Sequence, residues 1–165
     1  MPNNGTLTRT NIKLPGNSIP GNTGFGLSTP VDSGIGTQYQ IYDVRFYGGD
    51  IYIHFKTDIS FYGWSMHNIE AVGYNYGNSL PIRCNWCFHI SYGNGFYQTE
   101  LSNIYSGLTA NRLYASSDGY VVFVASSNTM YYAGWSINAY SLNPTGTYDV
   151  SITDVVQSPS DANYF

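Results

Sequence analysis

Cys84-Asn85-Trp86-Cys87 has the CxxC spacing used by zinc and redox centres. A structural zinc needs four Cys or His ligands, and the 165-residue chain offers no second Cys pair and no His pair at finger spacing. The string also lies inside an alternating run, where positions i and i+3 face opposite sides of a strand. Cys84 is therefore expected in the core beside Trp86, with Cys87 pointing outward, both as free thiols. A disulfide between them would break the strand. Of the three histidines, His54 and His89 fall on the polar faces of their runs. His67 lies near a strand start, with Glu70 three residues on and hence on the other face. No GxSxG elbow is present. Glycosidase chemistry needs two positioned carboxylates, and the only glutamates, Glu70 and Glu100, fall in the weakest runs. Asp43, Asp50, Asp58 and Asp118 could pair only through the fold. Asp50 and Asp118 lie in Gly-flanked turns, but without a DxDxDG calcium loop. The expectation is a non-enzyme with no catalytic residue, no metal and no cofactor.

Aromatic residues carry the stronger signal. Seventeen tyrosines raise the aromatic share to 17%, more than one core can absorb. Tyr62-Gly63-Trp64 and Tyr74-Asn75-Tyr76-Gly77-Asn78 fall at strand ends or loops. Tyr62, Trp64, Tyr74, Asn75, Tyr76 and Asn78 are thus the candidate ligand-binding residues. Their rings can stack on sugars while the amides hydrogen-bond hydroxyls, and protein interfaces use tyrosine in the same way. The competing use is burial of the rings against an arm or a neighbouring subunit with the hydroxyls left wet. The two uses can coexist.

The elements that would position these groups are strands. Ile51, Ile53, Phe55, Thr57 and Ile59 share one face, with Tyr52, His54, Lys56 and Asp58 on the other. An earlier run carries Tyr42, Val44 and Phe46, and Gly48-Gly49-Asp50 reads as a tight hairpin between the two. Ile82, Cys84, Trp86, Phe88, Ile90 and Tyr92 form the clearest alternation. Residues 120–125 are apolar on both faces, as a strand covered on each side should be. Further alternation appears over 131–140 and 148–156, with weaker strands at 66–76, 96–105 and 111–115. Eight or nine short strands with Gly/Asn/Ser turns and no helical period predict an all-β antiparallel sandwich, jelly-roll-like.

Residues 1–36 differ. Pro2, Pro15, Pro20 and Pro30 with seven glycines leave no apolar period, so this stretch is expected to be an extended attachment arm, with 37–165 as the sandwich domain. Met1–Asn11 has no apolar h-region of a secretory signal, and no stretch reaches the roughly 18 apolar residues of a membrane span. Only 10% of residues are charged, with six Lys+Arg against ten Asp+Glu. That balance removes the basic footprint nucleic-acid binding requires, and no membrane insertion is expected. A surface rich in Tyr, Asn, Ser and Gly is like that of a paratope, and two readings reconcile it with the missing export signal: a virion protein assembled in the host cytoplasm, or an exported chain whose signal has been cut away.

The segments Ala71-Val72-Gly73-Tyr74-Asn75-Tyr76-Gly77-Asn78-Ser79, Leu113 to Phe123 and Val150 to Val156 resemble, in that order and at similar spacing, the C-terminal domains of bacteriophage fibre and related virion surface proteins. The likeness covers about residues 39–157. It implies a β-rich domain that assembles as a trimer on a virus particle and often binds host glycans or proteins. Such fibres are usually longer, with a shaft before the tip. The short arm here favours a head fibre, a capsid decoration protein or an isolated tip, attached to other virion proteins through 1–36. A homotrimer also follows from surplus aromatics and from the scarcity of edge-blunting lysines, Lys13 and Lys56 alone. The alternative is a free carbohydrate-binding module or lectin.

Overall fold

The computed structural model describes residues 8–11, 25–27, 31–32, 37–38, 41–43, 47–75, 79–130, 133–142 and 150–165. Most of the expected arm, together with Val44, Phe46, Tyr76, Asn78 and Tyr148, lies outside them. The short strands β1 (Thr8–Asn11), β2 (Phe25–Leu27), β3 (Val31–Asp32), β4 (Thr37–Gln38) and β5 (Ile41–Asp43) precede the principal ones. These are β6 (Tyr47–Ser60), β7 (Ser65–Asn75), β8 (Leu80–Ser91), β9 (Gly95–Ser106), β10 (Thr109–Ala115), β11 (Tyr120–Met130), β12 (Ala133–Leu142) and β13 (Ile152–Ser158).

The principal strands form an antiparallel β-sandwich, as the alternation predicts. One sheet has the order β12-β7-β8-β9, with β1 paired outside β12. The other has the order β10-β11-β6-β13. Ile69, Ile82, Cys84, Trp86 and Ile90 from the first sheet meet Ile53, Phe55, Ile59, Val121 and Phe123 from the second in one apolar core. Phe55 stacks on Phe123 at 4.8 Å, and Trp86 lies 5.0 Å from Phe123. The Trp86 indole N–H donates across the sandwich to the Val124 carbonyl at 3.0 Å, so the largest core ring leaves no polar atom unpaired. Thr57, inward on β6, donates its hydroxyl to the Val121 carbonyl at 2.8 Å. That bond is what admits a hydroxyl to an otherwise apolar face.

Three expectations are corrected. Gly48-Gly49-Asp50 is not a hairpin, and Asp50 is not in a turn: β6 runs unbroken through it. Ile51 pairs with Ser127 and Gly48 with Thr129, so β6 carries the extra residue of a bulge there. Two glycines supply the backbone freedom a bulge needs as readily as that of a turn. Tyr92 does not continue the inward row of β8, because the strand ends at Ser91 and the ring lies exposed in the turn that follows. His54 does face away from the core, but it is fully buried. Residues 159–165 run back over the outer face of the second sheet and cover it. Tyr114, Val122 and Val124 form a second apolar cluster there, with Tyr52 and Phe165 packed against it.

Candidate functional site

Three turns converge at one end of the sandwich. Phe61 to Trp64 joins β6 to β7, Tyr92 to Asn94 joins β8 to β9, and Ser116 to Gly119 joins β10 to β11. The Phe61 N–H donates to the Gly119 carbonyl at 2.9 Å, tying the first turn to the third. Gly119 and Gly95 both have positive φ, and each also makes room for a ring. A Cβ on Gly119 would stand 2.6 Å from the Tyr62 ring, and one on Gly95 2.4 Å from the Phe61 ring. Phe61 packs edge-on against Phe96 at 4.9 Å, which anchors the turn to the core margin. Ser116 closes the third turn by accepting from the Tyr120 N–H and donating to Asp118, which also receives Lys56 at 2.6 Å.

The rings on this scaffold are exposed: Tyr62 by 66%, Trp64 by 56%, Tyr92 by 74% and Tyr97 by 61%. The His89 ring stands edge-on between Trp64 at 5.9 Å and Tyr97 at 5.6 Å, so three rings from β7's entry, β8 and β9 hold one another upright. Beside them lies a depression of about 560 Å³, bordered by Met66, Cys87, His89, Gln98 and Glu100. The Cys87 thiol contacts Asn68 Oδ1 at 3.2 Å, and Asn85 Nδ2 donates to the same oxygen at 3.0 Å. Partial burial, seconded by the Glu100 charge, raises the Cys87 pKa, so this thiol is protonated near neutrality and is a poor nucleophile. Cys84 is buried and its thiol is pushed up to about 12, chiefly by burial. Both cysteines are free and point to opposite faces, as the strand register predicts.

The candidate residues are thereby separated. Tyr62 and Trp64 stand at this pole, whereas Tyr74 is half exposed at the far end of β7. Ten residues of strand at about 3.3 Å each place Trp64 and Tyr74 roughly 33 Å apart. Asn75 is not a surface ligand at all: it is fully buried, and its Nδ2 donates to the Gly107 carbonyl at 3.0 Å. Tyr76 and Asn78 lie outside the described residues. In place of the second group the fold brings His89 to Trp64, with Tyr97 against the other side of His89, Gln98 in register with it and Tyr92 in the adjoining turn. The spacing of β8 and β9 around the Gly93-Asn94-Gly95 turn was the available signal, since a tight turn puts strand ends side by side.

Glu70 and His67 are both engaged by neighbours. Glu70 accepts from Arg83 Nε at 3.3 Å, and Glu100 lies on the same outer face two strands away, across β8. His67 is buried between Ser65 at 2.7 Å and Ser141 at 2.8 Å, and burial pulls its pKa down to about 4. Among the described residues no three His, Cys, Asp or Glu side chains converge as a metal site would require, and no helix is long and apolar enough to cross a membrane. No family model matches the chain, and neither a curated protein nor a solved structure is detectably similar to it.

Proposed function

We propose that this chain is a non-enzymatic surface protein of a virus particle that adheres to host cell-surface glycans through its aromatic pole. The observation that carries the adhesive role is the set of exposed rings at one pole, Tyr62, Trp64, Tyr92 and Tyr97, of which Trp64 and Tyr97 are braced by His89 and Tyr62 packs against Phe61 and over Gly119. Rings held in place before binding lose little entropy on contact, and they offer apolar faces to the C–H side of a pyranose. Asn94, Gln98 and Glu100 stand beside them with donors and acceptors suited to hydroxyls. The virion setting is supported by the resemblance of the three sequence segments to phage fibre domains and by the low share of charged residues, 10% of the chain. In this reading residues 1–36 attach to other virion proteins, and three chains close around a symmetry axis.

Glycan-array screening of the full chain, with Trp64→Ala and Tyr97→Ala beside it, tests the adhesive role. A glycan bound with a micromolar-to-millimolar dissociation constant should lose at least about tenfold in affinity in either variant, while the thermal midpoint stays unchanged. Equal binding by both variants would overturn the assignment. Light scattering tests the assembly: three chains of 18.3 kDa give about 55 kDa. A monomer that binds glycan equally well without residues 1–36 would point instead to a free carbohydrate-binding module.

A further inference from the structure

We propose that residues 159–165 form a pH-operated strap, latched over the outer face of the second sheet by neutral His54 and released when that imidazole is protonated. Hydrogen-bond accounting at one phenol carries the inference. The Tyr114 hydroxyl oxygen accepts the Tyr164 N–H at 3.1 Å and the Phe165 N–H at 3.4 Å. Both of its lone pairs are then used, and its own proton is left to donate to His54 Nδ1, 3.1 Å away. His54 Nε2 lies 3.3 Å from the Ser160 carbonyl, an acceptor only, so Nε2 must carry the ring's proton. The closed network therefore fits a single tautomer of the neutral ring. A second proton would have to sit on Nδ1, facing an oxygen that has no lone pair to offer.

The surroundings oppose that second proton as well. In register across the sheet, His54 lies between Val124 of β11 and Val156 of β13. Arg112, next in the row on β10, puts its guanidinium 4.9 Å from the Tyr114 ring and donates to Asn163 of the strap. Lys56, on the same face of β6, is paired with Asp118 and lies 5.6 Å from the Phe165 ring. Asp161 of the strap is the acidic group that favours the cation, Asp154 of β13 lies on the same outer face in register with Lys56, and Tyr52 and Tyr164 are the phenols nearby. Burial is the main cause holding the His54 pKa below its ordinary 6.5, with the Arg112 charge adding to it against Ser160 and Asp161. With the closed-state pKa depressed, closure is fully favoured above about 6.5 and is lost as pH falls through the range beneath. Release would uncover Tyr52, Tyr114, Val122 and Val124, an apolar patch distinct from the aromatic pole, so the strap does not depend on the glycan reading.

Hydrogen–deuterium exchange of the full chain at pH 7.5 and pH 5.0, corrected for intrinsic rates, tests this. The peptide containing Tyr164 and Phe165 should lose at least about tenfold in protection at pH 5.0, while the β11 peptide keeps its own. In Tyr114→Phe, which lacks the acceptor, protection of the strap should be lost at both pH values. In His54→Gln, which cannot be protonated, strap protection should be independent of pH. Equal strap protection of the native chain at the two pH values, or a pH dependence that persists in His54→Gln, would overturn the proposal. Should that variant fail to fold, an NMR titration of His54 in the native chain decides. A midpoint below 6.5 that moves together with strap exchange supports the latch, and one that leaves strap exchange unmoved refutes it.

Discussion

The two outer faces of this sandwich are written in the same alternating code and end in opposite states. On the first sheet, Asn68, Glu70, Arg83, Asn85, Cys87 and His89 form an open polar surface, and their hydrogen bonds run largely among themselves. On the second, the row Arg112, Val124, His54, Val156 is roofed by residues 159–165. Alternation tells which side chains turn away from the core. It does not tell whether they meet water, because for Arg112, Val124 and His54 that depends on a segment more than 30 residues distant in sequence. The consequence is functional: the open face and its aromatic end are available for contact, and the roofed face becomes available only if its cover moves.

Removing the layer both faces rest on should have the largest effect. Phe123→Ala deletes the ring between Phe55 and Trp86, and a loss of about 3–5 kcal/mol is expected in urea denaturation. Next come the two buried histidines, His67 on the inner face of the first sheet and His54 on the outer face of the second. His67 is neutral in the fold, with its pKa near 4 against an ordinary 6.5. Its contribution is fully present above about pH 6.5 and is lost as pH falls towards 4. Global stability should therefore drop by about 3 kcal/mol between pH 7.5 and pH 4, read from denaturation midpoints. The His54 effect should stay local, confined to the strap.

Paired truncations sharpen the contrast between faces. Val124→Ala on the roofed face should cost about 2 kcal/mol, whereas Val72→Ala, 39% exposed on the open face, should stay within about 0.5 kcal/mol by thermal denaturation. Equal costs would mean that the roof excludes no water. Smallest of all, Lys56→Met should leave the thermal midpoint close to that of the native chain, since its partner Asp118 is well exposed and ion pairs at such sites are screened.

Much of this was legible in the sequence. The inward row of β8 from Ile82 to Ile90, the double-sided burial of Val121 to Ala125 and the opposite facing of Cys84 and Cys87 follow directly from a period of two. The turn Tyr62-Gly63-Trp64 was readable from its glycine and its place between runs. Other features were not, for identifiable reasons. Asn75 looks like a loop amide until the Gly107 carbonyl comes within 3.0 Å from 32 residues away. Gly48-Gly49 fits a bulge as well as a hairpin. His54 sits on a polar face by pattern, and only residues 159–165 make that face an interior. Trp64 lies far from His89 and Tyr97 in sequence, and only the β7–β8 register brings it to them.

Gly95 and Gly119 suggest how such a pole could be retargeted. The backbone under Phe61 and Tyr62 admits nothing larger than hydrogen, so these two positions should tolerate almost no substitution. Tyr62, Trp64, Tyr92 and Tyr97 are set by strand ends and turns, with much of each ring outside the packed core. A library randomised at these four and held constant at the two glycines would vary chemistry without varying shape. Selection for new ligands could then proceed on a scaffold whose folding is largely indifferent to the outcome.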